Sequence, residues 1–279
     1  MKINSQTRTH RMLRWIRHSI ALSLATLSSI SMPYASTVLA IAPQEKKPTE
    51  QKIAPETLRA PIDPEHIRSN HLEAYVERAL KWDKEVATLA ANNATEGSED
   101  SILFLGSSSI RLWNTIEQDI TPWKPVRRGY GGSKFCDVAL YTPQLIRGLK
   151  YQAAAIFVAN DITGSELDKT PEEIARLAKV VINSIRSERP DAPVLLISIT
   201  ATPSRFKHWS RIEQANRALE KLSSEFKNVS FLETQSSYLT SEGQPKPEYF
   251  VKDMLHQNSD GYRVWGGLVR KKLDEMIGR

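Results

Sequence analysis

The sequence predicts an α/β protein, a three-layer α/β/α sandwich around a five-stranded parallel sheet, and three observations predict it. Five short apolar runs of strand length recur between residues 102 and 232. Stretches with helical apolar spacing separate them, so successive runs read as βαβ units. Polar and glycine-rich motifs follow directly on the runs. Right-handed crossovers would bring such motifs together at the carboxyl ends of the strands. A chain of 279 residues with 40% hydrophobic and 25% charged content is ordinary for a globular protein. No internal repeat of fixed period is visible.

The first segment reads as an address and not as fold. Lys2, Arg8, Arg11, Arg14 and Arg17 form a basic stretch without an acid, Ile20–Met32 is weakly apolar, and Val38-Leu39-Ala40 offers small residues for cleavage. Residues 1–40 are therefore expected to be a secretory signal cut after Ala40, and the mature chain to be periplasmic or secreted. A basic tail or an uncleaved anchor is the alternative. The full chain is +6, but residues 1–40 carry five basic residues and no acid, so the remainder is near neutral at +1. The basic balance thus belongs to the signal, and no nucleic-acid partner is expected. No run of eighteen apolar residues occurs, so no stable membrane span is expected in the mature chain. Cys136 is the sole cysteine. It excludes an intramolecular disulfide and a lipid-anchoring cysteine near the cut.

Residues 41–70, rich in Pro, Lys, Glu and Gln, read as a linker or poorly packed arm. The folded domain is placed at 71–279. It opens with an amphipathic helix from His71 to about Asn92, whose apolar face runs through Leu72, Tyr75, Val76, Ala79, Leu80, Val86, Leu89 and Ala90. The polar stretch around Gly97 closes this leading segment (71–98). Strands are expected at Ile102–Leu105, from Val126 toward Gly129, at Ala153–Val158, Val194–Ile199 and Val229–Leu232. Helices are expected at Asp137–Leu149, Pro171–Glu188, Arg211–Phe226 and Asp260–Ile277. Proline at the first helical position followed by two glutamates makes the start at Pro171 well marked.

Four features stand at strand ends or near them. Gly106-Ser107-Ser108-Ser109 follows the first strand, Gly129-Tyr130-Gly131-Gly132 the second and Asn160-Asp161 the third, while Asp253-Met254-Leu255-His256 precedes the last helix. Each alone is most simply a turn or a helix cap. Together they supply a hydroxyl nucleophile, a base, a group to orient the base and donors for an oxyanion, which is the inventory of acyl transfer.

The run ILFLGSSSIRLW, the turn RGYGGS, the tetrapeptide VAND and the motif DMLH, in this order, resemble blocks I, II, III and V of the SGNH (GDSL-type) hydrolases. The likeness is to their bacterial branch similar to platelet-activating factor acetylhydrolase and spans about residues 71–279. The resemblance implies a flavodoxin-like SGNH hydrolase fold, with Ser108 as nucleophile and Asp253 and His256 completing a triad. It implies an oxyanion hole from Ser108, Gly132 and Asn160. Two positions depart from the family pattern: Ser107 stands where the Asp of the Gly-Asp-Ser pattern is usual, and Val158 replaces the glycine of its GxND block.

The physical roles are consistent with that assignment. A serine hydroxyl needs a base within hydrogen-bond reach, and a histidine titrating near 6.5 supplies one. A carboxylate three residues before it can fix its tautomer. Backbone N–H groups of Ser108 and Gly132 with the Asn160 amide can surround the oxyanion. Ser107 and Ser109 point elsewhere than Ser108, and Cys136 reads as a small buried hydrophobe. Outside the signal only His66, His71, His208 and His256 remain, without ligand spacing, so neither metal nor cofactor is expected. Trp209, in the loop after the fourth strand, either lines a pocket or packs locally. A GxSxG elbow is absent. The expected activity is hydrolysis of carboxylic esters through an acyl-enzyme, on short-chain or acetyl esters of a carbohydrate or lipid-like alcohol. The alternatives are an O-acyltransferase with the same triad and an inactive binding or scaffold protein.

Overall fold

The computed structural model describes residues 62–278. The signal read at 1–40 and most of the linker read at 41–70 lie outside them. The five strands are β1 (Ser101–Gly106), β2 (Lys124–Gly129), β3 (Ala153–Phe157), β4 (Val194–Ile197) and β5 (Val229–Leu232). All pair in parallel, in the order β2-β1-β3-β4-β5. The expected doubly wound sheet is therefore present, and its order reverses between β1 and β3. In open α/β sheets that reversal opens a crevice at the carboxyl ends of the two strands.

Alternation along the central strands divides the core into two layers. Leu103 and Leu105 of β1, Ala154 and Ile156 of β3 and Val194 and Leu196 of β4 face the larger cluster. Ile102 and Phe104, Ala153 and Ala155, and Leu195 and Ile197 face the smaller one. Both faces are covered, which is why these strands read as continuous apolar runs. The long helices are numbered with the short ones in chain order. On the N-terminal arm lie α1 (Pro64–Ser69), α2 (Val76–Ala79) and α3 (Asp83–Ala90). Next come α4 (Ser108–Arg111), α5 (Ile116–Asp119) and α6 (Phe135–Ile146). After β3 follow α7 (Pro171–Glu188), α8 (Trp209–Ser224), α9 (Gln235–Tyr238) and α10 (Ser259–Ile277). Side chains of α6, α7 and α8 build the larger cluster, while Trp113, Ile116 and the α10 residues Trp265, Val269 and Leu273 build the smaller.

The arm differs from expectation in two ways. Residues read as linker already fold: Asp63 caps α1, and His66 Nε2 meets the Ala139 carbonyl at 2.8 Å. The single leading helix is instead a 3₁₀ turn at Glu73–Tyr75 running into α2, and a second 3₁₀ turn at Leu80–Trp82 that joins α2 to α3. A 3₁₀ turn advances three residues per turn, so it rotates the apolar face. Leu80 ends 51% exposed, while Trp82 is buried at 5%.

Candidate active site

The site is built where β1 and β3 separate. Gly106 closes β1, and the Ser107 N–H crosses to the Phe157 carbonyl at 3.1 Å. A Cβ on Gly106 would lie 1.9 Å from that carbonyl oxygen, so only glycine allows the approach. The chain then turns into α4 with Ser108 as its first residue. The N–H groups of a first helical turn have no intrahelical acceptor, and the Ser108 N–H finds none elsewhere among the described residues.

His256 reaches Ser108 from 148 positions away: its Nε2 lies 2.9 Å from Ser108 Oγ. Its Nδ1 lies 2.6 Å from Asp253 Oδ2. The other oxygen of Asp253 accepts the N–H groups of Leu255 and His256, each at 2.9 Å. One carboxylate therefore shapes the turn and orients the ring at once. Met254 between them takes a left-handed φ of 56°, a conformation costing a non-glycine residue about 1 kcal/mol. Burial pushes the Asp253 carboxyl up, but the hydrogen bonds from the His256 ring and the two N–H groups outweigh it and hold it below the usual range.

The turn after β2 brings in Gly132. It has φ 73°, is exposed, and its N–H has no acceptor among the described residues. The peptide bearing that N–H begins at the Gly131 carbonyl, which accepts the Trp82 indole N–H at 2.9 Å. N–H and C=O of a trans peptide point in opposite directions, so a fixed Gly131 oxygen fixes the heading of the Gly132 N–H. Ser133 Oγ ties the turn to the Gly106 and Tyr130 carbonyls at 3.2 and 3.1 Å.

Asn160, following β3, donates from Nδ2 to the Ser133 carbonyl at 3.0 Å. Its Oδ1 accepts from Arg205 Nη2 at 2.7 Å. Val158, just past β3, stays buried and Asn160 reaches the rim, with valine standing where the pattern it resembles has glycine. The next residue, Asp161, is buried and accepts the Phe135 N–H with both oxygens, anchoring the start of α6. Burial pushes its carboxyl up to about 7, against the pull of that N–H, Lys169 and Lys134.

Ser108, Asn160, Arg205, Phe250, Leu255 and His256 line one cleft of about 420 Å³ including its open mouth. Gly132 stands outside this lining, on the exposed turn. Cys136 is buried in the larger core with its thiol pushed up by burial to about 11, away from any nucleophilic role. Trp209 begins α8 and stacks on Phe206 with ring centroids 6.2 Å apart, so it packs locally.

Two residues at the site had not been assigned from sequence. Arg205 occupies the 3₁₀ turn Pro203–His208 after β4, on the same rim, and its position behind a strand was the available signal. Trp82 lay within a stretch read as an apolar helix face. Its signal was chemical, because a buried indole N–H requires an acceptor.

No protein-family model matches the chain, and no curated protein matches it. Solved structures do. One provisionally named a platelet activating factor from Streptococcus pneumonia superposes with a TM-score of 0.58 at 23% identity, covering 74% of this chain and 99% of that one. A GDSL-like lipase from Bacteroides thetaiotaomicron gives 0.54 at 15% identity, over 74% and 98%. A carbohydrate esterase family 3 protein from Talaromyces cellulolyticus gives 0.52 at 16% identity, over 64% and 98%. The fold is that of the SGNH hydrolases. Among the described residues no helix is long and apolar enough to cross a membrane.

Proposed function

We propose that this chain is an exported serine esterase that hydrolyses short-chain carboxylic esters through an acyl-enzyme. The observation that carries the proposal is the hydrogen-bonded line from Ser108 Oγ to His256 Nε2 at 2.9 Å and from His256 Nδ1 to Asp253 at 2.6 Å. In this mechanism Ser108 Oγ attacks the ester carbonyl while its proton passes to His256 Nε2. Asp253 keeps the proton on Nδ1 and stabilises the imidazolium. The N–H groups of Ser108 and Gly132 and the Asn160 amide receive the oxyanion, a contribution for which each donor is worth about 10²–10³ in rate. Collapse expels the alcohol, which takes the proton from His256. Water, deprotonated by the same ring, then releases the acid.

The acyl group is read as acetyl-sized, with the alcohol at the open mouth of the cleft. The structural neighbours named as esterases and lipases support ester substrates as a class, with a carbohydrate or lipid-like alcohol the best match to their names. Export rests on residues 1–40 alone, and intact-mass analysis of the exported protein should show a chain beginning near Ile41.

Turnover of p-nitrophenyl esters from acetate to decanoate tests the proposal. Activity should be highest at the short end and fall with chain length. Ser108→Ala should abolish it in a folded protein. Full turnover by that variant would reassign the nucleophile.

A further inference from the structure

Asn160 has an amide that could face either way, and its neighbours decide which. The Ser133 carbonyl is an acceptor and therefore meets Nδ2, at 3.0 Å. The Arg205 guanidinium is a donor and therefore meets Oδ1, at 2.7 Å. The reversed amide would set donor against donor on one side and acceptor against acceptor on the other. With one N–H of Nδ2 committed to Ser133, the second has no acceptor among the described residues, and Asn160 lines the cleft beside Ser108 and His256.

Arg205 does more than meet one oxygen. Its Nη1 donates to the Ala159 carbonyl, so a single planar fork holds two successive residues of the loop after β3. This is the loop in which Val158 replaces the family's glycine. Arg205 is half-buried against the cleft and makes no contact ion pair among the described residues, with Asp168 and Asp161 acting on it only through space. A partly buried cation without a contact ion pair is a cost to a fold. Here it stands behind a group that would meet a transient negative charge, and a charge-assisted bond to Oδ1 polarises the amide toward stronger donation at Nδ2.

We propose that Arg205 is a positioning residue of the oxyanion site, acting on the reaction through Asn160. This rests on the serine-esterase reading and assigns a role that the triad does not contain. Arg205 holds the Asn160 amide with its N–H edge on the catalytic side and strengthens that edge as a donor.

The test is a double-variant cycle with p-nitrophenyl acetate, comparing wild type, Arg205→Gln, Asn160→Ala and the combination, each checked for folding by circular dichroism. Asn160→Ala should lower kcat by about 10²–10³. Arg205→Gln should lower kcat by about ten- to a hundredfold and leave KM within about twofold, because the lost contact matters only as charge develops. In the Asn160→Ala background the same Arg205→Gln change should cost less than about twofold, since its target is gone. Losses that multiply in the combined variant would show that Arg205 acts independently of Asn160 and overturn the inference. So would wild-type kcat in Arg205→Gln. If Arg205→Gln does not fold, Arg205→Lys, which keeps the charge but not the fork, carries the cycle with the same expected non-additivity. Ser108→Ala separates the two levels. A dead Ser108→Ala beside a multiplying cycle refutes only the role of Arg205, whereas an active Ser108→Ala refutes the esterase mechanism and this inference together.

Discussion

The rim loops and the N-terminal arm reach the same site by different means. On the rim, backbone N–H groups help set the geometry: Asp253 accepts those two and three residues ahead, and the Ser107 N–H crosses to the neighbouring strand. The arm approaches through side chains. Trp82 reaches Gly131, and Arg78 grips Asp137 at 3.2 and 2.7 Å. Asp137 in turn accepts the Lys134 N–H at 2.7 Å and closes the cap of α6. The Trp82 ring is held from above by the Lys81 ammonium, 4.1 Å from its centroid, and edge-on by Tyr130. The difference teaches a division of labour. On the proposed mechanism rim groups exchange protons or meet charge, and the arm fixes the heading of the Gly132 N–H.

That division predicts a steep ordering of damage. The largest effect should come from the rim. Asp253→Asn keeps the size of the side chain but can present an N–H to His256 Nδ1, which favours the wrong tautomer. By analogy with other triads kcat/KM should fall by up to about 10⁴ in a folded protein. Unchanged kcat/KM would demote Asp253 to a turn-forming residue and erase the contrast with the arm.

The arm should give a smaller effect. Trp82→Phe keeps an aromatic ring in the packed position and removes only the N–H donated to Gly131. A hydrogen bond of this kind is worth about 1 kcal/mol net to the fold, which bounds the loss of aim at Gly132 and so the fall in kcat at about fivefold. KM should stay near its wild-type value, because on the proposed mechanism the Gly132 donor acts as the oxyanion forms. A rise in KM with kcat intact would place Trp82 in substrate binding and not in aiming the turn.

The same contrast explains what the sequence revealed. Strand ends followed by serine, glycine or asparagine are visible because the chemistry restricts residue type and the sheet restricts position. The bounds of α7 could be read for a similar reason: Thr170 caps it through its side chain and Pro171 starts it. The arm resisted because its face shifts at Leu80–Trp82, and periodicity carried through that turn puts Leu80 inside. Arg205 was hidden differently. Among Lys207, His208 and Arg211 it looks like one more solvated cation, and only the fold turns it toward Asn160.

Asp161 offers the finest test, since it is a rim residue whose work is packing. It stands beside Asn160, yet its carboxyl is buried at the start of α6 and burial raises it from 3.8 to about 7. Asp253, half exposed and held by donors, is shifted the other way. In the unfolded chain Asp161 loses its proton near its ordinary value, whereas the folded chain keeps it up to about 7. Between those limits the native state binds the extra proton, so the stability it contributes is complete at low pH and is lost as pH rises toward 7. Asp161→Asn keeps an oxygen for the Phe135 N–H and cannot ionise. Other titrating groups cancel when variant and wild type are compared at each pH. From pH 5 to pH 8, wild type should therefore lose up to about 3 kcal/mol relative to Asp161→Asn, at 1.36 kcal/mol per pH unit crossed below 7. Urea denaturation of both proteins at the two pH values measures it. If Lys134 and Lys169 instead keep the carboxylate ionised in the fold, the sign reverses and Asp161→Asn becomes the less stable protein at pH 8. That outcome would make Asp161 an ion-pair partner of α6's surroundings and leave the rim with two carboxylates of the same kind.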